Sequence, residues 1–294
     1  MPSILLAPLQ TTDAHAYWQV FLDGRSDLPS RSLALHVERY LNLPSEEQRT
    51  HFAVREGGRV IGTLRLTKGT ISGFAMAPDR HDRATAALVK AIDVLRAQGA
   101  SGIEATFEDR YDPAFVALGF KRWYSRVRME APTSRFPRSE GIDLRPPEEP
   151  EVLGLTEFFM GVYQGHIEQQ FGMHVGPLEE WRGYILGTLK GSEAGRFMPD
   201  ASFVILDDRR ILGAILATHW MGMPLVSELG VAKDRQGKGL GQSLLKATMT
   251  RLAELDEPRL ALYTTVGNAP AFALYAKTGF VQVGGQTVTA KREA

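Results

Sequence analysis

The stretch Asp234–Leu245, DRQGKGLGQSLL, sets glycines at 237, 239 and 241 among Arg235, Gln236 and Lys238, and a helical pattern takes over at once. Leu244, Thr248, Leu252 and Leu255 follow at i, i+4, i+8 and i+11, one face of a 3.6-residue period. The apolar run Leu225–Val231 before the loop reads as a strand. Strand, glycine loop and helix together form the layout of an anion site. Glycines let the backbone approach a ligand closely, and amides at a helix N-terminus carry partial positive charge. Arg235 and Lys238 are expected to strengthen that field. A tight glycine turn holding no ligand fits the same residues. Two familiar phosphate loops do not: a Walker A loop needs Ser or Thr after its Lys, where Gly239 stands. The dinucleotide fingerprint needs a glycine at 242, which is Gln.

The rest of the composition narrows the chemistry. A chain of 294 residues is long for one domain and predicts two. Lys+Arg and Asp+Glu balance at 34 each, which argues against a dedicated nucleic-acid binder. The chain has no cysteine, so disulfides, thiolate nucleophiles and Cys-ligated zinc are all excluded. The first residues, MPSILLAPLQ, lack a basic segment before their apolar run, and no window is apolar enough to span a bilayer. A cytoplasmic protein without membrane or nucleic-acid partners is the expectation.

Two halves of the sequence run in parallel. HFAVREGGRVIGTLRL (51–66) aligns with SFVILDDRRILGAILA (202–217), matching Phe52 with Phe203 and Gly62 with Gly213. Asp79-Arg80 match Asp234-Arg235, and DPAFVALGF (112–120) echoes APAFALYAKTGF (269–280). A period of about 150 residues is a domain duplication, too long for a solenoid. Each copy mixes hairpin strands with helices, so the fold class is α/β of the α+β type, with a mixed sheet. The proline-rich segment near the midpoint sets the expected boundaries: domain 1–132, linker 133–140, domain 141–294. In the second half a strand is expected at Ile142–Arg145 and helices at Val152–Tyr163 and Leu178–Leu189. Further strands are expected at 202–207, 211–218, 225–231 and 259–266, with a helix at Ala269–Ala276 and a last strand from Phe280.

Gln236, Gly239 and Gly241, following Val231, fill the pattern Q/R-x-x-G-x-G/A, and downstream stand Asn268, Tyr275 and Gly279-Phe280. In these two motifs the second half resembles the GNAT superfamily of acyl-CoA-dependent N-acyltransferases. The resemblance covers about 150 residues, extends weakly to the first half, and is similar in layout to the tandem, mycothiol synthase-like members. It implies acetyl-CoA as co-substrate, with Val231, Gln236, Gly237, Lys238, Gly239, Leu240 and Gly241 around its diphosphate and Asn268 near its pantetheine. It implies Tyr275 as the acid that protonates the leaving thiolate. It also implies direct attack by a primary amine of a small molecule or peptide, without a metal. A non-catalytic acyl-CoA sensor or scaffold is the alternative.

The general base is sought on the strand before the loop. Glu228 is the only ionisable residue of PLVSELGV, while Leu225 occupies the other position where relatives carry an acid. A solvated carboxylate, or one paired with an arginine, is the rival reading of Glu228. His219 and Tyr263 are further candidates, Tyr263 as a lining residue. The acceptor pocket is expected in YQGHIEQQFGMHVGPLEEW (163–181), whose His166, Glu168 and His174 are too irregularly spaced for metal ligands. In the first half, DRHDRATAAL puts His81 for Gln236, Ala84 for Gly239 and Ala86 for Gly241, and Asp82 adds a negative charge. That half is expected to bind CoA weakly or not at all.

Overall fold

A computed structural model describes residues 3–28, 31–137, 141–148, 151–192, 195–208 and 210–293. The chain divides into two compact units, Met1–Val127 with Val283–Ala294, and Arg128–Gln282.

In the first unit, strands β1 (Ile4–Pro8), β2 (His51–Glu56), β3 (Arg59–Thr67) and β4 (Thr70–Met76) pair antiparallel in sequence order. Helices α1 (Ala14–Asp23), α2 (Leu33–Leu41) and α3 (Ser45–Gln48) lie between β1 and β2 in the chain. After β4 come helix α4 (Ala84–Ala97), β5 (Ile103–Glu108), helix α5 (Asp112–Ala117) and β6 (Lys121–Pro132). The second unit repeats this order with β7 (Leu144–Arg145), helices α6 (Val152–Tyr163) and α7 (Leu178–Lys190), then β8 (Arg196–Phe197), β9 (Phe203–Asp207), β10 (Arg210–Trp220) and β11 (Met223–Val231). Helix α8 (Leu240–Glu254), β12 (Arg259–Thr265), helix α9 (Ala269–Lys277) and β13 (Val281–Gln282) complete it, and β14 (Thr287–Arg292) ends the chain.

Each sheet is finished by a strand from the other half of the sequence. In the first unit the order is β1-β2-β3-β4-β5-β14-β6. Val288 and Ala290 of β14 are buried with Phe74, Leu88 and Phe107 in that unit's core. In the second unit the order is β6-β12-β11-β10-β9-β7, with β6 entering through 128–132, where Met129 and Glu130 pair β13. The expected boundaries at 132 and 141 are therefore corrected. Strand pairing, not proline content, decides membership, so the division falls inside β6 and the last strand belongs to the first unit. The single strand expected from Phe280 is two. They are separated by a turn at Gly284, where a Cβ would meet the Ser26 carbonyl oxygen at 2.1 Å. The described part of the expected linker is fastened to the second unit: the Thr133 amide donates to Pro258 O (3.1 Å) and the Phe136 amide to Thr250 Oγ1 (2.9 Å). Residues 138–140 lie outside the described residues.

The apolar face predicted for the helix after the glycine loop buries Leu244, Thr248 and Leu252 completely. Leu255 falls just past the helix end and is 40% exposed, so the stripe stops one turn earlier than expected. Helices α6 and α7 cover the other core, in which Leu155, Phe159, Trp181 and Ile185 meet Val204, Ala214 and Leu216. Fully burying a side chain of the size of Phe159 is worth about 1.5–3 kcal/mol.

In both units the two central strands are parallel and pair at their starts: β4 with β5 at Thr70↔Glu104 and Ile71↔Ala105, β11 with β12 at Leu225↔Ala261 and Val226↔Leu262. Beyond these pairs the strands diverge. In the first unit Tyr111 fills the divergence. Its hydroxyl accepts from the Met76 amide (2.9 Å), donates to Gly24 O (2.8 Å), and its ring meets Phe74 edge-on at 4.9 Å. Removing that buried hydroxyl in Tyr111→Phe is expected to destabilise the protein by about 1–3 kcal/mol, because both partners lose their bond. Thermal unfolding checks this; a Tm equal to wild type would show the hydroxyl to be dispensable.

Candidate active site

The loop between β11 and α8 is shaped by its glycines. Gly237 (φ +74°) and Gly239 (φ +83°) are left-handed, and Gly239 is the N-cap of α8. The first-turn amides of α8 have no intrahelical acceptor and point out of the helix end. Gln236, Gly237, Lys238 and Gly239 are exposed and Leu240 half-buried. The Gln236 side chain donates back to Val231 O (3.2 Å), tying the loop to the strand end. Two expectations change. Arg235 is turned to Asp207 (3.3 Å), an exposed pair that partly offsets its charge beside the loop. Gly241 is buried, and a Cβ there would lie 3.1 Å from Leu274 Cδ2, so its small size also serves α8–α9 packing. The matching segment of the first unit, Pro78–Arg83, is a tight 3-10 turn without left-handed glycines. There Arg80 and Arg83 both reach Glu56, at 3.2 and 3.1 Å.

Glu228 lies where β11 leaves β12. The β10–β11 register shifts between Leu216 and Ala217, which face Glu228 and Val226, so Ser227 is the extra residue of a bulge. Leu225 faces Thr218 and Glu228 faces Leu216, two residues apart on β10, so the bulge brings Leu225 and Glu228 to one face of the sheet. Helix α6 packs directly on that face. A Cβ on Gly230 would lie 3.2 Å from Phe158 and 3.3 Å from Phe159, and this close approach carries the end of α6 to Glu228.

The carboxylate is 3% exposed and carries two phenols: Tyr163 Oη donates to Oε2 and Tyr184 Oη to Oε1, both at 2.8 Å. Neither rival reading holds among the described residues: the group is not solvated, and its partners are two tyrosines rather than an arginine. Burial pushes its pKa above the ordinary carboxylate range. The Tyr184 hydroxyl, the nearby His174 and the Tyr163 hydroxyl pull it down, while Glu168 adds to the rise. Tyr163, buried beside this carboxyl, is held well above the ordinary phenol range.

Next to this carboxyl the segment expected to form the acceptor pocket builds a second group. Glu168 is 6% exposed, accepts from Thr265 Oγ1, and lies 3.0 Å from His174 Nε2. His166 Nε2 faces Asn268 Nδ2 at 3.1 Å, and burial lowers the pKa of its ring. Asn268 also caps α9, accepting from the Ala271 amide at 3.3 Å. The sequence puts His166, Glu168 and His174 in one segment; the structure brings them together, with the Glu168 carboxylate on His174 and the Glu168 amide donating to His166 Nδ1 at 3.3 Å. Among the described residues no group of three such side chains is placed to hold a metal ion.

Tyr275 is 9% exposed, leans on Phe280 at 5.8 Å, and is close enough to Tyr163 to influence its ionisation. His219 stands apart, facing Glu257 at 3.6 Å, and Tyr263 meets Trp220 edge-on at 6.5 Å. Sequence reasoning did not single out Tyr163 and Tyr184 as partners of Glu228. The available signal was spacing: Tyr184 follows Trp181 by three residues, on the same face of α7.

Comparison with known proteins places this geometry. Residues 165–280 match the profile of the Acetyltransferase (GNAT) family. The mycothiol acetyltransferase of Corynebacterium aurimucosum is 26% identical over 253 residues, 78% of this chain and 79% of that one. That of Clavibacter sepedonicus is 35% identical over 98 residues, so the match spans about a third of that relative, 32% of each chain. The crystal structure of a GCN5-related N-acetyltransferase from Sphaerobacter thermophilus shares the fold with TM-score 0.73 at 13% identity, over 99% of this chain and 95% of that one. A tandem GNAT protein from the clavulanic acid biosynthesis pathway matches with TM-score 0.61 at 16% identity, covering 99% and 98%. Residues 165–280 thus carry the Acetyltransferase (GNAT) family match, and the whole chain shares the fold of tandem GNAT proteins.

Proposed function

We propose that the second unit transfers an acetyl group from acetyl-CoA to a primary amine of a small molecule or peptide. The observation that carries this is Glu228: a buried carboxyl with a raised pKa, set at the divergence of β11 and β12 just ahead of the glycine loop. The residues fit the donor. Outward amides from Gly237 to Gly241, with Val231 and Gln236 at the strand end, suit a diphosphate, and the diverging strands leave backbone for an extended amide-bearing arm. When bound, acetyl-CoA supplies a thioester acyl group. Glu228 takes the proton from the incoming ammonium, and its raised pKa brings it closer to the working pH of a general base. Asn268, fixed by its cap bond and by His166, contacts the pantetheine arm in this reading. Tyr275 donates a proton to the departing thiolate.

A non-catalytic acyl-CoA binder is the second reading, favoured by the burial of Tyr275 against Phe280. Both readings meet one assay: CoA release from acetyl-CoA with a panel of polyamines, amino sugars, amino-acid amides and dipeptides. The name of the relatives, mycothiol acetyltransferase, adds the free-amine form of mycothiol to that panel. That amine is one candidate among several, because Leu225 stands at the strand position where the family resemblance leads one to look for an acid. Turnover with at least one amine, lowered about tenfold or more in Tyr275→Phe, is the expected result. Acetyl-CoA binding with no turnover across the panel would establish the second reading.

A further inference from the structure

We propose that His174 is a positioning residue for Glu228, acting through Tyr163, with Glu168 as its anchor. The inference rests on the reading of Glu228 as the general base. His174 is held unusually firmly for a loop residue. Its backbone is left-handed at φ +58°, a conformation few side chains adopt. Its carbonyl accepts from Gln169 Nε2 at 3.0 Å, and its Nε2 meets the buried Glu168 carboxylate at 3.0 Å. Glu168 is itself fixed by Thr265 Oγ1.

So held, the imidazole stacks on one aromatic ring and has a second beside it, the three forming a triangle in which Tyr163 and Trp181 are 5.4 Å apart. Tyr163 lies 3.9 Å away at 21°, and Trp181 lies 5.3 Å away at 27°. Stacking holds the Tyr163 ring against tilting and turning; the tilt sets where its hydroxyl oxygen stands, and the ring plane sets the direction in which the O–H bond prefers to lie. The hydroxyl is on Glu228 Oε2. The groups facing His174 are Glu168, His166, Tyr163 and Trp181, and those facing Glu228 are Tyr163, Tyr184, Glu168 and His174. Of these, the two tyrosine hydroxyls and His174 favour the ionised carboxyl and Glu168 opposes it. Releasing Tyr163 therefore moves the Glu228 pKa upward.

The test reads the carboxyl directly, in the ligand-free full-length protein labelled with 13C at the glutamate carboxyl carbons. The Glu228 resonance is assigned by its loss in Glu228→Gln. His174→Asn removes the ring while supplying a residue that tolerates the left-handed backbone; His174→Gln serves the same comparison if the first variant does not fold. The titration of Glu228 is expected to rise by about one unit in His174→Asn and to rise in Tyr163→Phe as well. The double variant is expected to fall short of the sum of the two single shifts, exceeding Tyr163→Phe only by the direct pull of the His174 ring on the carboxylate, because the part that acts through Tyr163 is already gone. In turnover with the best amine of the panel, kcat should fall about tenfold below the acidic limb, with KM for acetyl-CoA unchanged within about twofold. An unmoved Glu228 titration in His174→Asn, or additive shifts in the double variant, would overturn the proposal. Shifts as expected, with Glu228→Gln as active as wild type, would instead overturn the base assignment and leave the positioning intact.

Discussion

Glu228→Gln is expected to lower kcat by about a hundredfold to ten-thousandfold, the range that a positioned general base supplies. The glutamine keeps the shape of the carboxyl and a carbonyl acceptor for one tyrosine hydroxyl, but it cannot take a proton at working pH. KM for acetyl-CoA should stay within about twofold, since the glycine loop is untouched. The pH profile carries the sign. Burial holds the Glu228 carboxyl above its ordinary range, so wild-type kcat/KM should climb through an acidic limb lying above that range and be lost as pH falls through it. The variant should lack this limb. Stability runs the other way. A carboxyl whose folded pKa exceeds its unfolded one contributes stability at low pH that is lost as pH rises. At pH 7 the variant should therefore be at least as stable as wild type, which separates lost chemistry from lost folding. Steady-state kinetics across pH with a thermal melt decide the matter. A variant with wild-type kcat and an intact acidic limb would remove Glu228 from the mechanism.

How far the sequence reaches is clearest residue by residue. Helices α6, α7 and α9 are legible to within a residue: α6 and α7 each bury a periodic face, while α9 starts at the Asn268 cap with Pro270 in its first turn. The anion-loop reading rests on Gly237 and Gly239, and both are left-handed, the conformation that demands glycine. The exchange of strands is not legible. Nothing in an alternating pattern such as Thr287–Arg292 says which sheet receives it, and the only local mark is Gly284, whose lack of a side chain permits close passage by Ser26. Glu228 is visible as the sole ionisable residue of its strand. Its facing is not, because a regular strand would put it on the opposite face from Leu225 and only the bulge at Ser227 reverses that. Its partners are equally hidden, since Tyr163 and Tyr184 lie 65 and 44 residues away and reach it by packing alone. In the first half, Ala84 and Asp82 are the residues that speak against a donor site. The larger obstacle is Tyr111, one residue outside the aligned motif, whose hydroxyl occupies the Met76 amide.

Gly239→Asp separates the two units most sharply. Nothing lies within 4 Å of the point where a Cβ on residue 239 would stand, so the side chain has room, and aspartate is among the residues that accept a left-handed backbone. At the N-terminus of α8 its charge also favours the helix, by about 0.3–1 kcal/mol. The protein should therefore fold normally. The same charge would face a bound diphosphate, and two like charges about 4 Å apart at a near-surface dielectric repel by about 4 kcal/mol before salt screening. Even with half of that screened, the Kd for acetyl-CoA should rise by about thirtyfold or more. The aligned control, Ala84, is unsuitable because it is buried in the first unit's core, where an aspartate would unfold its surroundings. Ala86, the counterpart of Gly241, is exposed in the first turn of α4 and takes its place. Ala86→Asp should leave Kd unchanged, because Tyr111 already closes the strands behind that loop. Titration calorimetry with acetyl-CoA on both variants gives the answer. Equal losses would mean that both units bind the donor; no loss in Gly239→Asp would move the diphosphate away from this loop altogether.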